Sequence, residues 1–220
     1  MKIAMLSDLH DGAAEAYLPE RLTKASLHDS LQDCRGCPLW EHATQAVPGE
    51  GRKSSRVMLV GEQPGDREDI DGRPFVGPAG RLLDEALEQA GIDRESAFVT
   101  NAVKHFKWEP RGKRRLHQKP NRSEVEACGP WLAGEIEYVR PDFLVLLGST
   151  AAQAVLGSDV RVTRIRGEVL TDTPLAAHVM ATVHPSSILR TRDGDRHDAM
   201  EAFVDDLRQV ARLVSASRSR

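Results

Sequence analysis

Four short apolar runs punctuate the chain, and helical patterns separate most of them. They are Val57–Val60, Phe98–Thr100, Phe143–Leu147 and Val179–Val183, and each reads as a buried strand. Leu82, Leu83, Ala86, Leu87 and Ala90 mark one face of a helix that Gly91 ends. Leu22, Leu27 and Leu31 predict a helix over residues 23–33. Val125 to Val139 predicts another, stopped before Pro141. Ala151 to Leu156 is short, and Ala199 to Val214 closes the chain. Arg164 to Leu170 reads as a hairpin or an edge strand. Strands alternating with helices imply an α/β fold with a mostly parallel sheet covered on both faces.

The 220 residues suffice for one domain, and no repeat, low-complexity tract or linker divides them. Residues 1–22 are expected to be loosely structured, 23–215 to form the domain, and 216–220 to be a tail. Hydrophobic residues make up 40 % of the chain, and no apolar run approaches the ~20 residues of a membrane span. The N-terminus carries acids, a histidine and no apolar h-region, so it does not read as a secretory signal. A cytoplasmic bacterial protein, monomeric and with no membrane partner, is expected. The formal net charge of −3 means that any nucleic-acid binding must come from a local patch. LSDLHDG at 6–12 resembles the first metal motif of calcineurin-like phosphoesterases, but no GDxxD or GNHE block follows to complete a two-metal site.

Such a patch is present. From Lys104 to Arg122 there are eight Lys/Arg residues and one acid, Glu109. The stretch includes Lys113-Arg114-Arg115-Leu116-His117, which implies a polyanionic partner and places a histidine where it could act on that partner. A solvated loop with an incidental histidine is the alternative. Ligands of open α/β sheets bind beyond the carboxyl ends of the strands. Polar and Gly-rich segments fall at three such ends: Gly61-Glu62-Gln63-Pro64-Gly65-Asp66, Thr100-Asn101, and His184-Pro185-Ser186-Ser187. Three cysteines, an odd number, argue against a disulfide framework. Cys34-x-x-Cys37 has the spacing of a zinc or iron–sulfur clip, with a redox pair as the alternative. Cys128 supplies a third ligand, and His105 is either the fourth or a hydrogen-bonded, partly buried histidine.

GEQPG at 61–65, EDIDGRPFVGPAGRLLD at 68–84, TNAVKH at 100–105 and HPSSILR at 184–190 resemble the iron–sulfur, family 4 uracil-DNA glycosylases. The resemblance runs from about Cys34 to Leu213. It implies a three-layer α/β/α sandwich around a central four-stranded, mainly parallel sheet. Two departures resemble the UdgX branch of these proteins, which becomes covalently attached to uracil-DNA. His105 stands where family 4 members usually have cysteine, and the KRRLH segment is absent from ordinary members. Leu116 replaces a more usual isoleucine there.

The resemblance implies roles. Cys34, Cys37, His105 and Cys128 would hold a 4Fe–4S cluster, with zinc as the lesser alternative. Phe75 would stack on an extruded uracil and Asn101 would read its edge, since an amide both donates and accepts. His184 would stabilise the departing uracil anion. His117 would attack C1′ and stay bound to the DNA, with Glu62 hydrogen-bonding its other ring nitrogen. Gln63 and Asp66 would support the pocket. Arg114 and Arg115 would grip phosphates or fix the loop, Lys113 would be mainly solvated, and Ser186 and Ser187 would contact phosphate. A single-turnover glycosylase acting on uracil-containing DNA, single strands favoured, is the leading expectation. A multiple-turnover family 4 enzyme and a non-catalytic uracil-DNA binding module are the alternatives.

Overall fold

The computed structural model describes residues 5–217. The first four residues of the expected loose segment and the last three of the expected tail lie outside them. The described chain opens with α1 (Leu6–His10), a 3-10 turn at Ala13–Tyr17 and α2 (Lys24–Gln32). β1 (Val57–Gly61) leads into α3 (Asp66–Asp71) and α4 (Pro78–Ala90), and β2 (Ala97–Asn101) follows. β3 (Trp108–Arg111) and β4 (Arg114–His117) come next, then α5 (Arg122–Val139) and β5 (Phe143–Leu147). The last third holds α6 (Ser149–Leu156), α7 (Val162–Ile165), β6 (Val169–Thr171), β7 (His178–Thr182), α8 (Pro185–Leu189) and α9 (Asp193–Ala216).

The main sheet has the order β2-β1-β5-β7-β6. The first four strands are parallel and β6 is antiparallel to β7. The sheet therefore has five strands rather than the expected four. The fifth comes from the end of the segment read as a hairpin or edge strand, whose first residues instead finish α7. A three-residue edge strand offers few open hydrogen-bonding groups to another chain. Side chains alternate across the sheet. Met58, Val60, Leu144 and Leu146 pack under Leu132, Ile136, Ala152 and Val155 of α5 and α6. Leu59, Val145 and Leu147 pack under Leu83, Leu87, Phe203 and Leu207 of α4 and α9. Each such leucine or valine contributes about 1.5–3 kcal/mol by leaving water. The three-layer α/β/α architecture follows from these two faces.

The KRRLH segment, expected as a loop, is half of an antiparallel ribbon that turns at Gly112 and stands apart from the main sheet. The starts of α4, α5, α6 and α9 also lie earlier than the apolar pattern predicts. Asn121 caps α5 through its Oδ1, which accepts the Glu124 N–H at 2.9 Å, while Glu124 Oε2 accepts the Asn121 N–H at 2.7 Å. That reciprocal pair fixes a first turn that carries no apolar signal.

The expectation of a loose N-terminal segment does not hold for its described part. Leu9 and Ala14 are buried, and α1 and the 3-10 turn lie along α5. Gly129 of α5 permits this approach, because a Cβ there would meet the Leu9 carbonyl oxygen at 2.6 Å. Gly129→Ala is expected to cost about 1–3 kcal/mol by overpacking. Faster proteolysis ahead of residue 20, with the sheet core still protected, is the expected reading.

Candidate active site

The carboxyl ends of β1, β2, β5 and β7 open onto a cavity of about 830 Å³. Glu62 and Gln63 reach it from the end of β1, Asn101 from β2, Gly148 and Ser149 from β5, and His184 from just after β7. Phe75 enters from the α3–α4 connection. The sequence-predicted Asp66, His117, Ser186 and Ser187 line it as well. Two glycines make the packing of its wall possible. A Cβ on Gly61 would strike the Asn101 side chain and the Phe75 ring, and a Cβ on Gly80 would strike the Phe75 carbonyl. Phe75 itself has φ of 58°, a left-handed conformation that a bulky residue keeps only where the surroundings enforce it.

His184 sits at the N-terminus of α8. Its Nδ1 accepts the Ser186 N–H at 3.1 Å and lies 2.8 Å from Ser186 Oγ, which also accepts from Arg190 at 3.1 Å. Ser187 Oγ donates to the His184 carbonyl at 2.7 Å. Both serines are thus engaged in the helix start. Burial pushes the His184 pKa down to about 4; the carboxylate of Glu62 opposes the shift, and Arg190 and His117 add to it. With Nδ1 accepting and the ring neutral, the proton sits on Nε2, which leaves that nitrogen a donor. The Phe75 ring stacks beside it, with centroids 6.1 Å apart and planes at 29°.

The ribbon is tied to the same wall by three side chains. Gln63 closes its base, donating from Nε2 to the Gln118 carbonyl at 3.0 Å and accepting the Lys107 N–H on Oε1 at 3.0 Å. Arg115 donates to Asp66 Oδ1 at 2.6 Å, Asp69 Oδ2 at 2.5 Å and Thr44 Oγ1 at 3.1 Å. Its guanidinium carbon also lies 5.5 Å from the centroids of the Phe106 and Trp108 rings. Of the two roles expected for Arg115, fixing the segment is the one this geometry serves; its donors face protein carboxylates rather than solvent. Asp66 is likewise the partner of Arg115. At the end of β4, His117 Nε2 lies 3.3 Å from Glu62 Oε1. The other Glu62 oxygen accepts the Thr150 hydroxyl. Burial works against ionisation of Glu62, but His117, Thr150 and the nearby His184 outweigh it and hold its carboxyl below the ordinary value.

The basic stretch is not one surface. Lys104 is fully buried, Lys107 pairs with Glu124 at 2.9 Å and Arg122 pairs with Glu126 at 2.6 Å. Arg111, Lys113 and Arg114 are exposed or nearly so at the ribbon tip, outside the cavity. The cations that do line the cavity are Arg67, Lys119 and Arg190. None was singled out from sequence, although Arg190 ends the HPSSILR motif and Arg67 follows GEQPGD directly.

Cys34 and Cys128 are buried in the cluster of apolar residues beneath the N-terminal segment, and Cys37 packs against it. Trp131 Nε1 donates to Cys34 Sγ at 3.2 Å, and the Lys104 N–H donates to Cys128 Sγ at 3.3 Å. Burial raises the Cys128 pKa to about 12, with Lys104 opposing and Cys37 and Cys34 adding to the shift. N–H donors thus already serve two of the sulfurs. His105 is buried, which lowers its pKa to about 4 and leaves its ring neutral. Thiolates with N–H donors and a neutral imidazole suit a soft metal centre. Among the described residues, no three His, Cys, Asp or Glu side chains draw together as ligands of one metal ion. By donor chemistry alone, thiolates with an imidazole suit an iron–sulfur cluster or zinc.

The model of the uracil DNA glycosylase superfamily matches residues 48–208. The type-4 uracil-DNA glycosylase of Thermotoga maritima is 40 % identical over 180 residues, covering 81 % of this chain and 89 % of that protein. The type-4 enzyme of Pyrobaculum aerophilum is 39 % identical over 173 residues, covering 74 % and 83 %. A type-5 uracil-DNA glycosylase from the same organism is 30 % identical over 184 residues, covering 74 % and 75 %. The chain belongs to the uracil DNA glycosylase superfamily.

A histidine whose folded pKa is depressed binds fewer protons than its unfolded form between the two pKa values. Its contribution to stability is therefore complete above about pH 6.5 and is lost as pH falls toward about 4. Ring nitrogen chemical shifts of His184 are expected to report the neutral Nε2–H form from pH 8 down to about pH 5. A midpoint near 6.5 would contradict this geometry.

Proposed function

We propose that this protein excises uracil from DNA and is itself captured on the resulting sugar through His117. One observation carries the reading: a histidine on a braced ribbon lies 3.3 Å from a carboxylate at the mouth of the cavity. The similarity to type-4 uracil-DNA glycosylases supports uracil-DNA as substrate. The extruded base stacks on Phe75, and Asn101 pairs with its edge. As the glycosidic bond breaks, its electron pair leaves with uracil, and the Nε2–H of His184 stabilises the anion. Positive charge develops on the sugar. One imidazole nitrogen of His117 donates its lone pair to C1′, forming the N–C1′ bond in place of the bond to uracil. The imidazolium so formed is stabilised by Glu62, which Thr150 orients. A ring held this close competes with water through its effective concentration. An alkylated imidazole is a poor leaving group, so the protein turns over once. Arg67, Lys119 and Arg190 serve phosphates at the cavity rim, and Arg111, Lys113 and Arg114 steer the strand from the ribbon tip. Single strands are favoured because their bases need less opening.

Cys34, Cys37, His105 and Cys128 hold a 4Fe–4S cluster that staples the N-terminal segment to the core. The cluster, when bound, supplies structural cross-linking rather than chemistry at uracil. The similarity to type-4 enzymes favours ordinary turnover as the second reading, with the ribbon only binding phosphate.

A denaturing gel of the protein with uracil-containing single-stranded DNA is expected to show a retarded band that survives high salt. His117→Ala is expected to lose the band and release free uracil beyond one equivalent. Free uracil above one equivalent from the unaltered protein would favour the second reading. Arg115→Ala leaves Asp69 buried without its cation and frees the ribbon. Its rate of adduct formation is expected to fall about tenfold or more, at near-normal affinity for uracil-free DNA.

A further inference from the structure

Lys104 is the one cation of the basic stretch that is fully buried, and the reaction as described does not use it. Its ammonium has three hydrogens and three acceptors: Thr100 Oγ1 at 2.6 Å, the Asn101 carbonyl at 2.8 Å and Glu135 Oε2 at 2.7 Å. Thr100 Oγ1 also donates to Glu135 Oε2 at 2.7 Å, and the other Glu135 oxygen accepts the Gly49 N–H at 2.8 Å. The main chain of Lys104 is held just as closely. Its carbonyl accepts the Val47 N–H at 2.8 Å, and its N–H meets Cys128 Sγ. The residues between complete the turn: the Ala102 N–H donates to the Gly61 carbonyl at 2.9 Å, and the Val103 N–H donates to the Glu62 carbonyl at 3.0 Å.

A buried ion pair is an uneconomical source of stability, since apolar residues of the same volume often serve as well. Its better-supported use is to impose one arrangement on the chain around it. Here that arrangement bears directly on the cavity. The Asn101 amide makes no hydrogen bond to protein among the described residues, so nothing polar on its own side chain fixes its aim. Its direction follows from its main chain and from close packing over Gly61, where the Phe75 ring also crowds.

We propose that the Lys104–Glu135 pair is a positioning device for base recognition: by holding the Asn101 carbonyl it sets the angle at which the Asn101 amide meets the base. Lys104 touches neither base nor sugar, and it acts through Asn101. The same turn carries the hydrogen bond that spaces Glu62, so base reading and the carboxylate beside His117 share one brace. This inference rests on the reading that the cavity takes uracil.

The test compares binding of two single-stranded oligonucleotides, alike except at one position. One carries a 2′-fluorinated deoxyuridine, whose fluorine disfavours a cationic sugar and so resists cleavage, and the other carries thymidine. The variant is Lys104→Met with Glu135→Gln, which removes the charge pair while leaving donors and acceptors for Gly49 and Thr100. Wild-type protein is expected to prefer the uracil strand. The double variant is expected to lose about tenfold of that preference, the worth of one well-aimed hydrogen-bonding pair, and to bind the thymidine strand as before. Glu135→Gln alone, which keeps Lys104 in place, is expected to show a smaller loss in the same direction and serves if the double variant does not fold. An unchanged preference in the folded variant, or equal weakening toward both strands, overturns the proposal. A wild-type protein with no preference for uracil overturns the reading beneath it, and the proposal with it.

Discussion

Arg115 lies between Asp66 and Asp69, and the position of the ribbon that carries His117 follows from that contact. A two-stranded ribbon has marginal stability alone and must be held by something outside itself. Its backbone pairing fixes only its shape. The guanidinium, with three side-chain acceptors and two aromatic faces, fixes its orientation against the sheet. Charge-assisted hydrogen bonds of this kind contribute roughly 1.5–3 kcal/mol each, more than the neutral bonds elsewhere in the ribbon. Because Arg115 is only two residues from His117 on the same strand, both side chains project from the same face. Gripping one aims the other.

The remaining groups are delivered by the sheet. Parallel strands end together, and four of them release their chains at one rim. A carboxylate, an amide and an imidazole from distant parts of the sequence meet there without any long-range loop. Gly61 is a point where these elements crowd, since the Asn101 and Phe75 side chains occupy the space a side chain would need. The ribbon and the sheet rim thus meet across a cavity whose floor is set by close packing and whose edge is set by charge.

Most of this was legible in the sequence where it depends on local pattern. The four parallel strands were found within a residue or so of their bounds because each is a run buried on both faces. The segments at their carboxyl ends were found because glycines, amides and histidines there break the apolar pattern. What was missed depends on partners far away in the chain. The charge run from Lys104 to Arg122 reads as one surface by composition. In space it divides into a buried lysine, three paired side chains, an exposed tip and Lys119 at the cavity, because Glu135, Glu124, Asp66, Asp69 and Glu126 lie opposite Lys104, Lys107, Arg115 and Arg122. The ribbon carries no strand signal in the sequence, since two four-residue strands with half their residues charged show no alternation of apolar and polar positions. The order of the N-terminal segment was missed for a similar reason: it comes from a glycine on α5 more than 100 residues away, at Gly129.

One bond near His184 has a wider consequence. The Ser186 N–H that begins α8 is the donor that occupies Nδ1. Helix initiation and tautomer choice are therefore a single event, and neither can be tuned without disturbing the other. A ring that took up a second proton would repel the amide that caps it, so acid would fray the first turn of α8 at the moment it charged the ring. Any redesign of this imidazole has to be a redesign of a helix terminus.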